Sequence, residues 1–117
     1  MSAPERRRAA IYCRVAATDQ TNAAPWRGQE AACRQHAAQH RYAVDEAHVY
    51  REMAGGLRLT GRPQLAALRE AIGARHVDAI IVRSRDRLGR DRRTVRALED
   101  ECARAGVEIV VVAEASA

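Results

Sequence analysis

The sequence contains no phenylalanine and no lysine. Its aromatic residues are Tyr12, Trp26, Tyr42 and Tyr50. A core without large rings must be assembled from Ala, Val, Ile and Leu, and it will be thin. Cysteine is scarce: Cys13, Cys33 and Cys102 are far apart and form no CxxC pair. That spacing argues against both a disulfide framework and a zinc site, and suits small buried hydrophobes in a reducing compartment. No apolar run approaches the length of a membrane span, and no secretory leader is expected. The expectation is a cytoplasmic chain without a membrane partner. GxxxxGK[ST] is absent, which excludes a P-loop, and no GxGxxG follows the first strand, which argues against a dinucleotide site. His36 and His40 have the i, i+4 spacing of a metal pair but no HExxH surrounds them, so neither a metal nor another cofactor is expected.

What is present fits one folded domain. The chain has 117 residues, and 47% are hydrophobic, enough to argue against disorder. Residues Met1 to Arg8 read as a frayed basic tail, and residues 9–117 as the domain. The net charge is +5 and all 20 cations are arginine. Together with abundant alanine, that usage matches a GC-rich coding bias, so arginine in place of lysine is not evidence of function. Clustering is better evidence. Seven arginines fall between Arg83 and Arg96. Such density suits phosphate groups, most simply those of nucleic acid, against the bland alternative of a solvated helix face.

Strand-like runs occupy Ala9–Val15, Ala43–Tyr50, Asp78–Arg83 and Val107–Ala113. "AIIV" and "VEIVVVA" are nearly continuous apolar stretches, the pattern of parallel strands covered on both faces. Helical segments fill the gaps. In Gly28–His40, an Ala32, Cys33, His36, Ala37 and His40 stripe lies on one side. Pro63–Ala74 opens with a proline suited to a first turn, with Leu65, Leu68 and Ile72 on one face. Asp91 or a neighbour can cap Arg92–Ala105, where Val95, Leu98 and Cys102 align, and Gly106 stops it. The β-α-β-α-β-α-β order predicts an α/β domain, a mainly parallel four-stranded sheet with helices on both faces. Two long loops follow the first two strands, Ala16–Arg27 and the glycine-rich Arg51–Arg62.

Ligand sites of open parallel sheets lie beyond the C-terminal strand ends. There the first strand delivers Arg14, the second Glu52 and a loop ending in Arg62, and the third Arg85, Asp86, Arg87 and Arg90. Guanidinium groups bind phosphate oxygens through paired hydrogen bonds and can stabilise the charge of a phosphoryl-transfer transition state.

"YCRVAATDQ", "GQEAACRQHA", "GRPQLAALREAI", "DAIIVRSRDRLGRD" and "AGVEIVVV" together resemble the N-terminal catalytic domain of resolvase/invertase serine recombinases, in the family's order, from about Ala9 to Ala113. "DRLGR" after an apolar strand is the most specific piece. The resemblance implies site-specific DNA recombination, in which a serine hydroxyl attacks a phosphodiester, without metal or external energy. It implies that Arg14 contacts the scissile phosphate, that Asp86, Arg87 and Arg90 form an acid–arginine cluster, and that Arg62 is another active-site arginine. Gln20 and Gln29 match supporting glutamines, and Glu52 stands where aspartate is usual.

One departure is decisive for chemistry. The family reads Arg-Val-Ser where this chain reads Arg14-Val15-Ala16, and alanine has no oxygen to attack with. A second serine of the family's glycine loop is Gly55 here. Thr18 is the candidate substitute nucleophile, but it lies two residues downstream, a displacement that argues against it, and Ser84 lies one strand away, where bonding to backbone is its expected role. The family's long dimer helix and DNA-binding domain would follow Val112, and only Ala113–Ala117 remain. The expectation is a catalytically impaired recombinase domain that engages the DNA backbone. The alternatives are a non-catalytic DNA-phosphate-binding or regulatory partner, in a homo- or hetero-oligomer with a full-length recombinase, or a gene fragment.

Overall fold

The computed structural model describes residues 6–16, 26–53 and 61–115. Four strands, β1 (Arg8–Val15), β2 (Ala43–Met53), β3 (Ala79–Val82) and β4 (Glu108–Val111), form one sheet in the order β2-β1-β3-β4. Every pair is parallel. Helices α1 (Arg27–Gln39), α2 (Pro63–Gly73) and α3 (Arg92–Ala105) make the crossovers. A short 3-10 turn spans Arg85–Arg87, and α4 (Val112–Ala115) ends the described chain.

The apolar runs have the two-sided burial that their composition demands. Ala10, Tyr12, Ile80 and Val82 pack with Leu65, Leu68, Ile72, Leu98 and Cys102 of α2 and α3 on one face. Ile11, Cys13 and Ile81 pack with Cys33 and Ala37 of α1 on the other. Alternation along β1 thus feeds two cores, which is why a strand with almost no exposed residue needs no polar face. All three cysteines are buried and unpaired. Burial pushes the thiols of Cys13 and Cys33 up to about 12 and that of Cys102 up to about 11, so they act as hydrophobes.

Local signals set the ends of α2 and α3. Pro63 opens α2. The Asp91 carboxylate accepts from the Thr94 amide at 2.7 Å, and Gly106 closes α3 at φ 73°. Gly89 is held close to α3, since a Cβ there would lie 2.7 Å from Thr94 Cγ2.

Four expectations are corrected. The fourth strand stops at Val111 rather than Ala113, because its partner β3 ends at Val82; Ala113 belongs to α4 and donates its amide to the Arg83 carbonyl, just past β3, at 2.9 Å. β2 continues to Met53, because Cys13–Val15 pair with Arg51–Met53. Arg8 belongs to β1 rather than to a tail, and Arg7 and Arg8 pair with Glu108 and Asp78. On α1 the buried line is Gln29, Cys33 and Ala37; His40 is exposed, and its ring stacks on that of His36 at 4.1 Å. Among the described residues no three potential ligands gather around a metal position, and no helix is long and apolar enough to cross a membrane.

Candidate functional site

The strand order reverses between β1 and β3, the topological switch point of this sheet. Their pairing covers Ala9–Ile11 against Ala79–Ile81. Cys13–Val15 run on past the last pair, and the Arg85–Arg87 turn closes against them. Four of the five buried polar residues among those described collect here: Arg14 (4% exposed), Gln29 (7%), Glu52 (3%) and Arg62 (2%).

Arg14 and Arg62 both turn inward onto the carbonyls of that turn. Arg14 donates from Nε to the Arg87 carbonyl at 3.0 Å and from NH2 to the Asp86 carbonyl at 2.6 Å. Arg62 donates from NH1 to the Leu88 carbonyl at 2.8 Å and from NH2 to the Arg87 carbonyl at 3.3 Å. Three-residue turns leave carbonyls without helical partners, and buried guanidiniums need acceptors, so each solves the other's deficit. Arg87 returns the contact, donating from NH1 to the Arg14 carbonyl at 2.8 Å. Arg14's pKa is drawn down by burial and by the neighbouring charges of Arg62 and Arg87.

Tyr12 links this cluster to β2. Its hydroxyl accepts from Arg62 NH2 at 2.7 Å and Nε at 3.2 Å, and donates to Glu52 Oε1 at 3.3 Å. The Arg62 guanidinium carbon lies 5.5 Å from the Tyr12 ring centre. Burial, opposed by the Arg62 hydrogen bond, pushes the phenol up to about 12. Glu52 accepts from the amides of Leu65 (2.8 Å) and Gln64 (3.2 Å). It therefore caps α2 from a neighbouring strand, where the helix's own N-cap residue supplies no side-chain bond. Trp26 Nε1 donates to the Glu52 carbonyl at 2.9 Å. Gln29 holds Arg14 from α1: the Arg14 amide donates to Oε1 at 3.1 Å, and Nε2 donates to the Arg14 carbonyl at 2.9 Å.

Ala16 is exposed at the end of β1. It lines an open cavity of about 560 Å³ with Val15, Gly28, Gln29, Arg83, Ser84 and Arg87. Among the described residues no carboxylate lines it. Ser84 points its hydroxyl at Asp86 Oδ1, which corrects the expectation that it bonds to backbone. Asp86 also accepts from Arg87 NH2 at 3.0 Å. The Ser84 hydrogen bond first, and the Arg87 guanidinium second, hold the Asp86 carboxyl below its usual range.

The structure thus gathers Arg14, Gln29, Glu52, Arg62, Asp86 and Arg87 into one network. Arg90 is exposed and lines a separate open cavity of about 500 Å³ at the start of α3, shared with Asp86, Gly89 and Arg96. Gln20, Thr18 and Gly55 lie outside the described residues. Sequence reasoning missed Tyr12 and Arg83. A tyrosine in an otherwise apolar buried strand was the available signal for Tyr12, because a buried phenol needs a partner. Nothing local distinguished Arg83 from its six neighbouring arginines.

A family model described as the resolvase N-terminal domain matches residues 9–117. No curated protein matches this sequence. Among solved structures, the C-terminal catalytic domain of ISC1926 TnpA, an IS607-like serine recombinase, is similar at a TM-score of 0.78 and 31% identity, over 90% of this chain and 70% of that one. A serine recombinase from Sulfolobus solfataricus gives 0.69 and 26%, over 92% and 69%. A resolvase family site-specific recombinase from Streptococcus pneumoniae shares the fold at 0.77 and 20%, over 93% and 74%.

Proposed function

The chain belongs to the resolvase N-terminal domain family of serine recombinases, and from that premise we propose that it engages the DNA phosphate backbone at the β1–β3 end without cleaving it. Domains of this family act on DNA in site-specific recombination and oligomerise. The observation that carries the reading is the pairing of a cation-lined cavity with a methyl group. Arg83 and Arg87 wall the cavity, and the strand-end residue facing it is Ala16.

In this reading the four arginines divide their work. Arg14 and Arg62 are positioning residues: they hold the Arg85–Leu88 turn from within and add positive potential from behind. Arg87 keeps part of its surface open beside Asp86 and meets the phosphate, with Arg90 serving DNA from the neighbouring cavity. Covalent strand cleavage needs an attacking oxygen, and cations cannot supply one.

The network also favours a maintained domain over a decayed fragment. Among the described residues no buried side-chain nitrogen or oxygen lacks a hydrogen-bond partner, and a substitution that removed one partner would leave such a group unsatisfied at a cost. A maintained domain that engages DNA without cleaving it is therefore preferred to a gene remnant.

The test is binding of fluorescent duplex DNA across a salt series. The reading expects affinity to fall steeply with salt and to differ little between unrelated sequences. Absence of binding at low salt, or salt-independent binding, would contradict it.

A further inference from the structure

We propose that Arg83 is a second phosphate contact of the Ala16 cavity, binding a backbone phosphate of the DNA strand that enters it; this rests on the DNA-binding reading above. The other arginines that line or back this cavity are committed, whereas Arg90 opens onto the neighbouring one. Arg14 and Arg62 bond to turn carbonyls. Arg85 pairs with Glu99 and with Glu114. Arg87 divides its donors between the Arg14 carbonyl and Asp86. Elsewhere Arg34, Arg51 and Arg69 each have a carboxylate. Among the described residues, none pairs with the Arg83 guanidinium.

Its base is nevertheless fixed. Arg83 directly follows β3, and its carbonyl accepts the Ala113 amide at 2.9 Å. The side chain reaches across to the first turn of α1, where NH1 lies 3.6 Å from the position a Cβ would take on Gly28. A cation with no acid partner among the described residues, on the wall of a cavity to which none of them contributes a carboxylate, is set for an anionic ligand. A planar guanidinium can give two parallel hydrogen bonds to a phosphodiester. With Arg87 on the same cavity, the pair presents two donors to one strand. A free solvated arginine is the competing description, and it predicts no effect larger than that of any other exposed arginine.

The experiment measures duplex DNA binding by the full chain at several salt concentrations, comparing Arg83→Gln, Arg83→Lys and Arg104→Gln. Arg104 lies in the last turn of α3, at the opposite end of the sheet. Arg83→Gln is expected to weaken binding about five- to tenfold near 0.1 M salt, and to reduce the log–log salt slope by about one. Arg83→Lys keeps the slope, and Arg104→Gln changes it little. Circular dichroism checks that each variant is folded. Equal effects from Arg83→Gln and Arg104→Gln would overturn this inference while leaving the DNA-binding reading intact. Absence of DNA binding by the unmodified chain would overturn both.

Discussion

Arg14 and Arg87 hold each other through backbone rather than through charge. Arg14 Nε donates to the Arg87 carbonyl at 3.0 Å, and Arg87 NH1 donates to the Arg14 carbonyl at 2.8 Å. Two guanidiniums repel, yet this arrangement brings them together because each one's acceptor is the other's main chain. The clasp fixes the Arg85–Arg87 turn to the end of β1. Arg14→Met should therefore destabilise the fold by about 1–3 kcal/mol, because the part-buried Asp86 and Arg87 carbonyls each lose a charged donor. Lysine, a single point charge, should not restore the loss. Chemical denaturation measures both; unchanged stability in Arg14→Met would mean that Arg14 serves only an external ligand.

Tyr12 gives the network a pH dependence at the alkaline end. Its folded pKa, pushed up to about 12 from an ordinary 10.0, lies above the unfolded value, so folding favours the protonated phenol. That contribution is complete below about pH 10 and is lost as pH rises through about 12. Tyr12→Phe should remove this alkaline component, and should also cost about 1–3 kcal/mol at neutral pH by stripping Arg62 of a buried acceptor. An alkaline denaturation profile identical in the two proteins would refute the assignment.

Gly89 is required by contact rather than by a positive φ. A Cβ there would stand 2.7 Å from Thr94 Cγ2 and 3.0 Å from Thr94 Cβ, and Thr94 is buried. Gly89→Ala should destabilise by about 1–3 kcal/mol, and adding Thr94→Ser, which deletes the crowded methyl, should recover part of it. Thermal melts of the single and double variants decide this; no recovery would place the strain elsewhere.

The thiols should be silent. Cys13, Cys33 and Cys102 are buried with raised pKa values, so the native protein at about pH 8 should react with a thiol reagent only at the rate of unfolding. Rapid labelling of any one of the three would show an opening that the fold does not contain.

Much of the architecture was legible in sequence. "AIIV" announced a strand buried on both faces, Pro63 and the Asp91 cap announced helix starts, and Gly106 announced a stop. The convergence of arginines and acids on one sheet edge was legible as well, because strand ends are one-dimensional positions. The direction of each guanidinium was not. Arginine's long stem lets its head lie in solvent or turn inward, and the choice for Arg14 and Arg62 depends on where the Arg85–Leu88 carbonyls come to rest. That is a tertiary fact. The end of β4 was hidden for a similar reason: Val112 and Ala113 are apolar enough for a strand, but strand β3 has already ended.

The most direct measurement of the central claim is covalent capture on nicked suicide-substrate DNA, read on a denaturing gel. The account predicts no protein–DNA adduct with the unmodified chain and an adduct with Ala16→Ser, which restores an oxygen at the strand end. An adduct formed by the unmodified chain and mapped to Thr18 or Ser84 would contradict it.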